Sequence, residues 1–112
     1  MKLARWQTDG GDAYGLIVGD MAHPVSDGFR MRFPDLNDVL AAAALSDLRA
    51  DALAQPPVPV AGITWRLPIH PAARVICVGI NYPKRYPLDQ SVTRPENIIL
   101  FAKLDGTLVP HD

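Results

Sequence analysis

The 112-residue chain is long enough for one small domain with a modest core, and its hydrophobic share of 48 % is ordinary for a soluble globular protein. The formal net charge of −1 gives no electrostatic reason to expect binding to nucleic acid or to an anionic membrane. No apolar run approaches the length of a membrane span, the N-terminus lacks a signal-peptide core, and the single cysteine cannot form an internal disulfide. These features predict a cytoplasmic protein.

The first quarter of the chain has the pattern of a small antiparallel meander. Residues 2–6 alternate between polar and apolar, which is the period of a half-buried strand. A glycine-containing turn follows, and residues 14–18 read as the returning strand of a hairpin. Residues 21–25 are predicted to form a short third strand, in which Pro24 indicates an edge position.

Helices are expected after an irregular stretch at residues 26–33. Asp35 can cap a helix, and Asp38 then lies where the helix dipole favours an anion. Ser46 and Asp47 can cap a second helix that runs to residue 54. A single kinked helix is the alternative, and the pattern favours two.

A proline-rich segment at residues 55–60 predicts a stiff, extended connector. Residues 63–67 alternate and are predicted to form a strand that packs back on the meander. We therefore divide the chain into an N-terminal α+β domain (residues 1–55), a linker with its connecting strand (56–70) and the first strands of an incomplete second domain (71–112).

Two strongly apolar runs dominate the last third of the chain. Residues 75–78 and 98–103 each predict a strand buried on both faces, and residues 107–109 predict the start of another after a turn at 105–106. Such strands need sheet neighbours and a cover. They can pair among themselves and with the meander, be covered by a partner chain, or belong to a protein that continues past residue 112.

Polar residues follow the first of these strands directly. Behind Gly79 and Ile80 come an amide, a phenol, two cations and a second phenol, and two prolines keep this stretch out of a helix. We call residues 81–87 the polar loop. A buried strand that delivers polar side chains at its end is a common way to build a site.

These residues carry a family resemblance. Residues 77–82, Cys-Val-Gly-Ile-Asn-Tyr, resemble the "CVGxNY" motif of the fumarylacetoacetate hydrolase family, and residues 100–103, Leu-Phe-Ala-Lys, resemble its "xxFxK" segment. Residues 1–5 and 67–71 are also typical of it. The resemblance implies an α+β chain, in which a small antiparallel meander with one or two helices precedes the first strands of a β-rich catalytic domain. It also implies a dimeric, Mg²⁺-dependent enzyme that acts on acylpyruvate-like or other keto acids.

The chain departs from the family pattern in two respects. Family members hold the metal through a Glu-x-Glu pair and a further acid, whereas this chain has one glutamate, Glu96, so no metal site is expected within it. Many members also have a histidine and a glutamate after the Asn-Tyr, where this chain has Arg85 and Leu88. Because arginine stays protonated, it cannot serve as the general base. Hydrolysis, isomerisation and decarboxylation of a keto acid therefore stay open.

The predicted substrate site consists of five residues that would frame a pocket for a carboxylate or enolate. Arginine offers a planar fork that matches a carboxylate, and lysine offers a point charge. The alternatives are solvated loop cations, a lysine whose aliphatic stem packs at a strand end, and an asparagine that bonds its own turn. The five residues are Asn81, Tyr82, Lys84, Arg85 and Lys103.

Other polar residues are weaker candidates for chemistry. The aspartate pairs 35/38 and 47/51 read as solvated surface acids, and the three histidines, at positions 23, 70 and 111, have no metal-binding spacing. Cys77 reads as inert packing within its strand, and Trp6 and Trp65 read as core anchors.

The chain alone is therefore predicted to be inactive, and its small-molecule partner is a keto acid bound by the intact enzyme. The rival interpretation is a stand-alone, non-catalytic binding or oligomerisation module, whose apolar strands are buried in a homodimer.

Overall fold

A computed structural model describes residues 1–70, 73–81, 95–104 and 106–110, together with the backbone of residues 84–85 and 90–91. The chain forms two compact units, Met1–Pro71 with Val109–Asp112 and Ala72–Leu108. The predicted α+β class is confirmed, and each unit is described separately below. Within the described residues, no helix has both the length and the apolar character needed to cross a membrane.

The first unit contains a five-stranded antiparallel sheet in the order β4-β3-β2-β1-β5. The predicted meander is confirmed as β1, β2 and β3, and the predicted strand at residues 63–67 is confirmed as β5 on the outer edge of β1. The strands are β1 (Lys2–Thr8), β2 (Gly11–Val18), β3 (Met21–Pro24), β4 (Val58–Pro59) and β5 (Thr64–Arg66).

The proline-rich connector supplies the fourth strand. Met21 pairs with Pro59 and Ala22 with Val58, and the Val60 N–H donates to the Asp20 carbonyl at 2.9 Å. The prediction that β3 is an edge strand is therefore wrong. Proline is nevertheless tolerated at the end of β3, because the ladder to β4 stops two residues earlier, at Ala22.

Three helices follow β3, namely α1 (Asp27–Arg32), α2 (Leu36–Ala41) and α3 (Leu45–Leu53). The prediction of an irregular stretch at residues 26–33 is wrong, because Ser26 caps α1: its hydroxyl accepts from the Phe29 N–H at 3.1 Å. The Asp51 carboxylate of α3 in turn accepts from the Ser26 N–H and hydroxyl, each at 2.7 Å. This anchor lies 25 residues away in sequence, so local pattern could not reveal it.

The predicted cap of α2 and the division into two helices are confirmed. Asp35 accepts from the backbone of residues 37 and 38, and Asp38 closes a capping box on the Asp35 N–H. Ala43, with φ of 53°, separates α2 from α3. The predicted cap of α3 is wrong, because Ser46 and Asp47 lie inside the helix and Ala44 precedes it without a side-chain bond.

Each face of the sheet buries its own cluster of side chains, because successive residues of a strand point to opposite faces. The helical face buries Leu48 and Val39 completely. The opposite face buries Trp6, which is 1 % exposed and pairs across the sheet with Trp65. The predicted core role of both tryptophans is confirmed, and their cross-strand pairing brings together residues far apart in sequence. The helical cluster comprises Tyr14, Leu16, Val25, Phe29, Phe33, Leu36, Val39, Ala44, Leu48 and Ala52.

The second unit contains two short antiparallel pairs. The strand β6 (Ile76–Gly79) pairs with β9 (Ile99–Ala102), and β7 (Lys84–Arg85) pairs with β8 (Gln90–Ser91). The two predicted apolar strands thus exist and pair with each other. The prediction that they are buried on both faces is wrong, since Ile76 is 62 % exposed and Leu100 is 59 % exposed. Within the described part of this unit, no helix or further sheet packs against the ladder.

The end of the described chain forms a turn. Gly106 has a φ of 76°, and the Thr107 N–H donates to the Leu104 carbonyl at 3.2 Å, which agrees with the predicted turn. Residues 107–109 are not a strand, and that prediction is wrong. No described strand lies beside them to supply hydrogen bonds, so the β-prone sequence alone does not form one.

Candidate functional site

Two strands approach each other closely at the end of β6. Gly79 is the last residue of β6 and pairs with Ile99, the first residue of β9. A Cβ added at Gly79 would lie 3.1 Å from the Ile99 Cγ2 atom, which is tighter than ordinary van der Waals contact. The absence of a side chain at this position therefore lets the strands meet where the polar loop begins.

Ile80 directs the chain out of the ladder. Its φ is 51°, in the left-handed region that a β-branched residue rarely adopts. Asn81 follows immediately, and its side chain is exposed. The first polar residue of the predicted site thus leaves the strand through a strained backbone position.

The rest of the polar loop is described only in part. The backbone of Lys84 and Arg85 forms β7, which pairs antiparallel with Ser91 and Gln90 of β8. The side chains of these two cations lie outside the described residues, as does the whole of Tyr82. Their predicted contribution to a carboxylate pocket stays a prediction.

Lys103 lies at the other end of the ladder from Asn81. It follows β9, its side chain is exposed, and its N–H donates to the Val75 carbonyl at 2.9 Å. The extended chain from Val75 to Gly79 spans roughly 13 Å. The register therefore separates Lys103 from the exit of β6, and its membership in the pocket stays a prediction.

Cys77 lies in the middle of β6, opposite Phe101. Its side chain is half-buried, and it forms no disulfide. This position matches the predicted packing role and is unlike the exposed, electropositive setting that a nucleophilic thiolate needs.

The carboxylates of the first unit have structural roles. Asp35 and Asp51 are partly buried and hold the caps of α2 and α1, so describing them as solvated surface acids is wrong. One reason is visible only in three dimensions: Asp51 faces Ser26 across the packed helices. His70 lies beside the second cap, with its Nε2 atom 3.8 Å from the Asp35 Oδ2 atom.

Within the described part of the chain, no group of three or more histidine, cysteine or acidic side chains is placed to hold a metal ion. The one glutamate, Glu96, is exposed. His111 lies outside the described residues. The described residues do not fit the hard-cation site that the family resemblance implies, so no chemical step is assigned to Mg²⁺ here.

An ion-pair network ties the first unit together at the edge formed by β5. Asp12 accepts from Arg5 at 3.2 Å and from Arg66 at 3.4 Å, so one carboxylate links β1, β2 and β5. Arg5 also donates to the carbonyls of Leu67 and Ile69, both at 3.5 Å. The sequence offered no signal for this network, because its members lie up to 64 residues apart.

Tyr14 is the buried titratable residue that the sequence analysis missed. Its hydroxyl donates to the Phe33 carbonyl, and the side chain lies in the helical cluster. Burial raises the pKa of this phenol to about 12, and the carboxylates of Asp38, Asp35 and Asp51 act in the same direction. A phenol that holds its proton so firmly is a structural donor at neutral pH.

Comparison with known proteins gives one partial similarity. No family model matches the chain. No solved structure matches it either. Over 71 residues the chain is 38 % identical to "Oxaloacetate tautomerase Fahd2a, mitochondrial" of Rattus norvegicus. The matched segment covers 62 % of this chain and 22 % of that relative.

The relative is a mitochondrial protein by name, so the predicted cytoplasmic location is not confirmed. The chain spans about a fifth of the relative's length, and the activity, substrates and partners of a whole enzyme do not transfer directly. The matched segment supports a relationship to the fumarylacetoacetate hydrolase family, and it supports nothing more specific.

Proposed function

We propose that this chain is the N-terminal part of an enzyme of the fumarylacetoacetate hydrolase family, and that its polar loop forms one side of a keto-acid site. The observation that carries the proposal is the backbone geometry at the end of β6. The family-like motif at residues 77–82 coincides there with a close strand contact at Gly79, a strained turn at Ile80 and an exposed amide at Asn81. The similarity to an oxaloacetate tautomerase supports the same assignment.

The proposed substrate is a 2-keto acid with a second carboxylate. The guanidinium of Arg85 suits a carboxylate, because it offers two parallel N–H donors, and Lys84 adds a positive charge. The Asn81 amide donates to the oxygen that becomes negative when a proton leaves the carbon beside the carbonyl. Tyr82 supplies a further hydroxyl donor to the same oxygen. These roles together stabilise an enolate.

Tautomerisation fits the polar loop better than hydrolysis does. Hydrolysis needs a base that activates water, and an arginine at position 85 cannot accept a proton at neutral pH. Tautomerisation consumes no water, but it needs a base that takes the proton from the substrate carbon and an acid that protonates the oxygen. In this proposal the base lies outside these residues, and the polar loop supplies the donors to the oxygen. The relative is named as a tautomerase, an enzyme of this kind.

The rest of the machinery lies outside these residues in this proposal. A Mg²⁺ ion would be held by carboxylates of a longer protein, since this chain has a single glutamate. The chain alone therefore binds the keto acid weakly and does not turn it over.

A titration of the 112-residue chain with oxaloacetate, followed by NMR, tests the proposal. Loss of a charged donor to a carboxylate costs roughly tenfold in affinity, so Arg85→Gln is expected to weaken binding by that factor. Arg74→Gln is the matched control, because Arg74 precedes β6 at the opposite end of the ladder, and its affinity is expected to match that of the unmodified chain. Equal affinity of Arg85→Gln and the unmodified chain would overturn the proposal.

A second candidate function is an oligomerisation module that forms a homodimer. The exposed apolar side chains of the β6–β9 ladder favour it, among them Ile76, Leu100 and Phe101. Sedimentation equilibrium tests this second candidate. A concentration-dependent dimer that Phe101→Lys converts to a monomer supports the module, and a monomer at all concentrations excludes it.

A further inference from the structure

The turn out of β6 is made by a residue poorly suited to it. Two non-glycine residues in the described chain have a positive φ, Ala43 and Ile80. An isoleucine in the left-handed region brings its branched side chain against the following carbonyl, and glycine or asparagine normally occupies such a position. The strain at Ile80 persists because the surrounding backbone fixes it.

The ladder explains why the reversal falls on Ile80. A glycine stands one residue earlier, but Gly79 is still paired with Ile99, so a left-handed turn at Gly79 would break the last pair of the ladder. Ile80 is the first residue beyond the ladder, and the left-handed turn falls on it. The conformation of Ile80 therefore sets the direction of the chain at Asn81.

We infer that Ile80 is a positioning residue, whose left-handed conformation fixes the direction in which Asn81 leaves β6. This inference rests on the proposed function, in which Asn81 faces the substrate oxygen. A glycine at position 80 would adopt the same φ without strain, but it would also visit many other conformations. The branched side chain of Ile80 reduces the number of conformations that residue 80 can adopt. The chain therefore leaves β6 in one direction, although the left-handed conformation is strained.

Three variants of the full 112-residue chain test this inference. Ile80→Gly removes the strain and the restriction together. Ile80→Asn keeps a side chain that tolerates a positive φ, and it is the conservative variant expected to restore order. Ala43→Gly is the matched control, because it relieves a positive φ in the first unit.

The readout is the NMR order parameter of the Asn81 backbone N–H, and the melting temperature is measured in parallel. We expect Ile80→Gly to melt no lower than the unmodified chain, while the Asn81 order parameter falls from about 0.85 to below 0.6. Ile80→Asn should keep the high order parameter, and Ala43→Gly should leave Asn81 unchanged. A role in stability alone predicts the opposite split, with a lower melting temperature and unchanged order.

Three results would overturn the inference: an unchanged Asn81 order parameter in Ile80→Gly, an equal loss in Ile80→Asn, or failure of Ile80→Gly to fold. None of these depends on ligand binding. Failure of the proposed function appears separately, as the absence of oxaloacetate binding by the unmodified chain.

Discussion

The two units of this chain contain similar apolar residues and use them differently. In the first unit, helices cover one face of the sheet, and residues around β5 cover the other, so Trp6 and Leu48 are almost completely buried. In the second unit, the β6–β9 ladder is as apolar as any strand of the first, yet all four residues of β9 are exposed. None of the described residues between 73 and 104 is buried.

The difference shows that a core requires a covering layer as well as apolar strands. A two-stranded ladder is marginally stable at best in water, because neither face is removed from solvent. The first unit has its layers within 70 residues, whereas the second offers a surface on which another layer can pack. Asn81, the first residue of the polar loop, follows the end of that ladder.

The largest contrast is expected from a matched pair of leucine truncations. Leu48→Ala empties a site that is 0 % exposed, and it should lower the free energy of unfolding by about 3 to 5 kcal/mol. Leu100→Ala truncates a side chain that is 59 % exposed, and it should change that free energy by about 0.5 kcal/mol or less. Urea unfolding of the two variants measures both values. Similar losses would show that the second unit shares in a core.

Glycine substitutions sharpen the same contrast. A Cβ at Gly15 would lie 2.0 Å from the His23 carbonyl oxygen. That oxygen belongs to the backbone of β3, which is paired with β2 and cannot shift without disturbing this pairing. We expect Gly15→Ala to cost about 3 kcal/mol. Gly79→Ala meets a side chain in an open ladder and should cost about 1 kcal/mol.

Gly10→Ala is the control for both glycine variants, because its Cβ would have no heavy atom nearer than 3.9 Å. Thermal unfolding of the three proteins gives the ranking. A Gly79→Ala variant less stable than Gly15→Ala would reverse the proposed difference between the units.

Alkaline pH probes the core of the first unit through Tyr14. The raised pKa, about 12 against an ordinary 10.0, means that the unfolded chain loses this proton first as pH rises. The contribution of Tyr14 to the free energy of unfolding is therefore fully present below pH 10. It decreases between pH 10 and pH 12, by about 2 to 3 kcal/mol in total. Tyr14→Phe should be about 1 kcal/mol less stable at pH 8 but should lack this part of the alkaline loss.

The difference between the two unfolding curves, measured by urea titration at several pH values, isolates Tyr14 from the other ionising groups. A parallel decline of both proteins above pH 10 would contradict the burial of this phenol.

The smallest of these effects concerns the link between α3 and the cap of α1. Asp51→Ala leaves the Ser26 N–H without its carboxylate partner, and it should cost about 2 kcal/mol. Asp47→Ala removes an exposed acid from the same helix and should cost about 0.5 kcal/mol. Circular dichroism melting of both variants measures the difference, and equal melting temperatures would remove Asp51 from this role.

The features that local sequence predicted are those that local interactions specify. Alternation predicted the meander, and Asp35 predicted the start of α2, because a strand period and a helix cap are each encoded within a few residues. The Cys77–Tyr82 stretch likewise indicated a strand followed by a polar turn, and the described part of it agrees.

The features that escaped prediction depend on distant partners. The helix α1 depends on Asp51, and β4 exists only as a neighbour of β3. The exposure of β9 depends on whether a second layer is present, which the apolar composition of the strand cannot indicate. The position of Lys103 required the register of β6 against β9, and that register is set by the pairing of whole strands.

Native-state amide hydrogen exchange tests the central comparison most directly. Amides within β1, β2 and α3 should exchange only through global unfolding, because they belong to the buried first unit. Amides of β6 and β9 should exchange through local opening, at least a hundredfold faster than those of the first unit when each is corrected for its intrinsic rate. Equal protection of the two units would contradict the account, since it would mean that the apolar ladder is covered in solution.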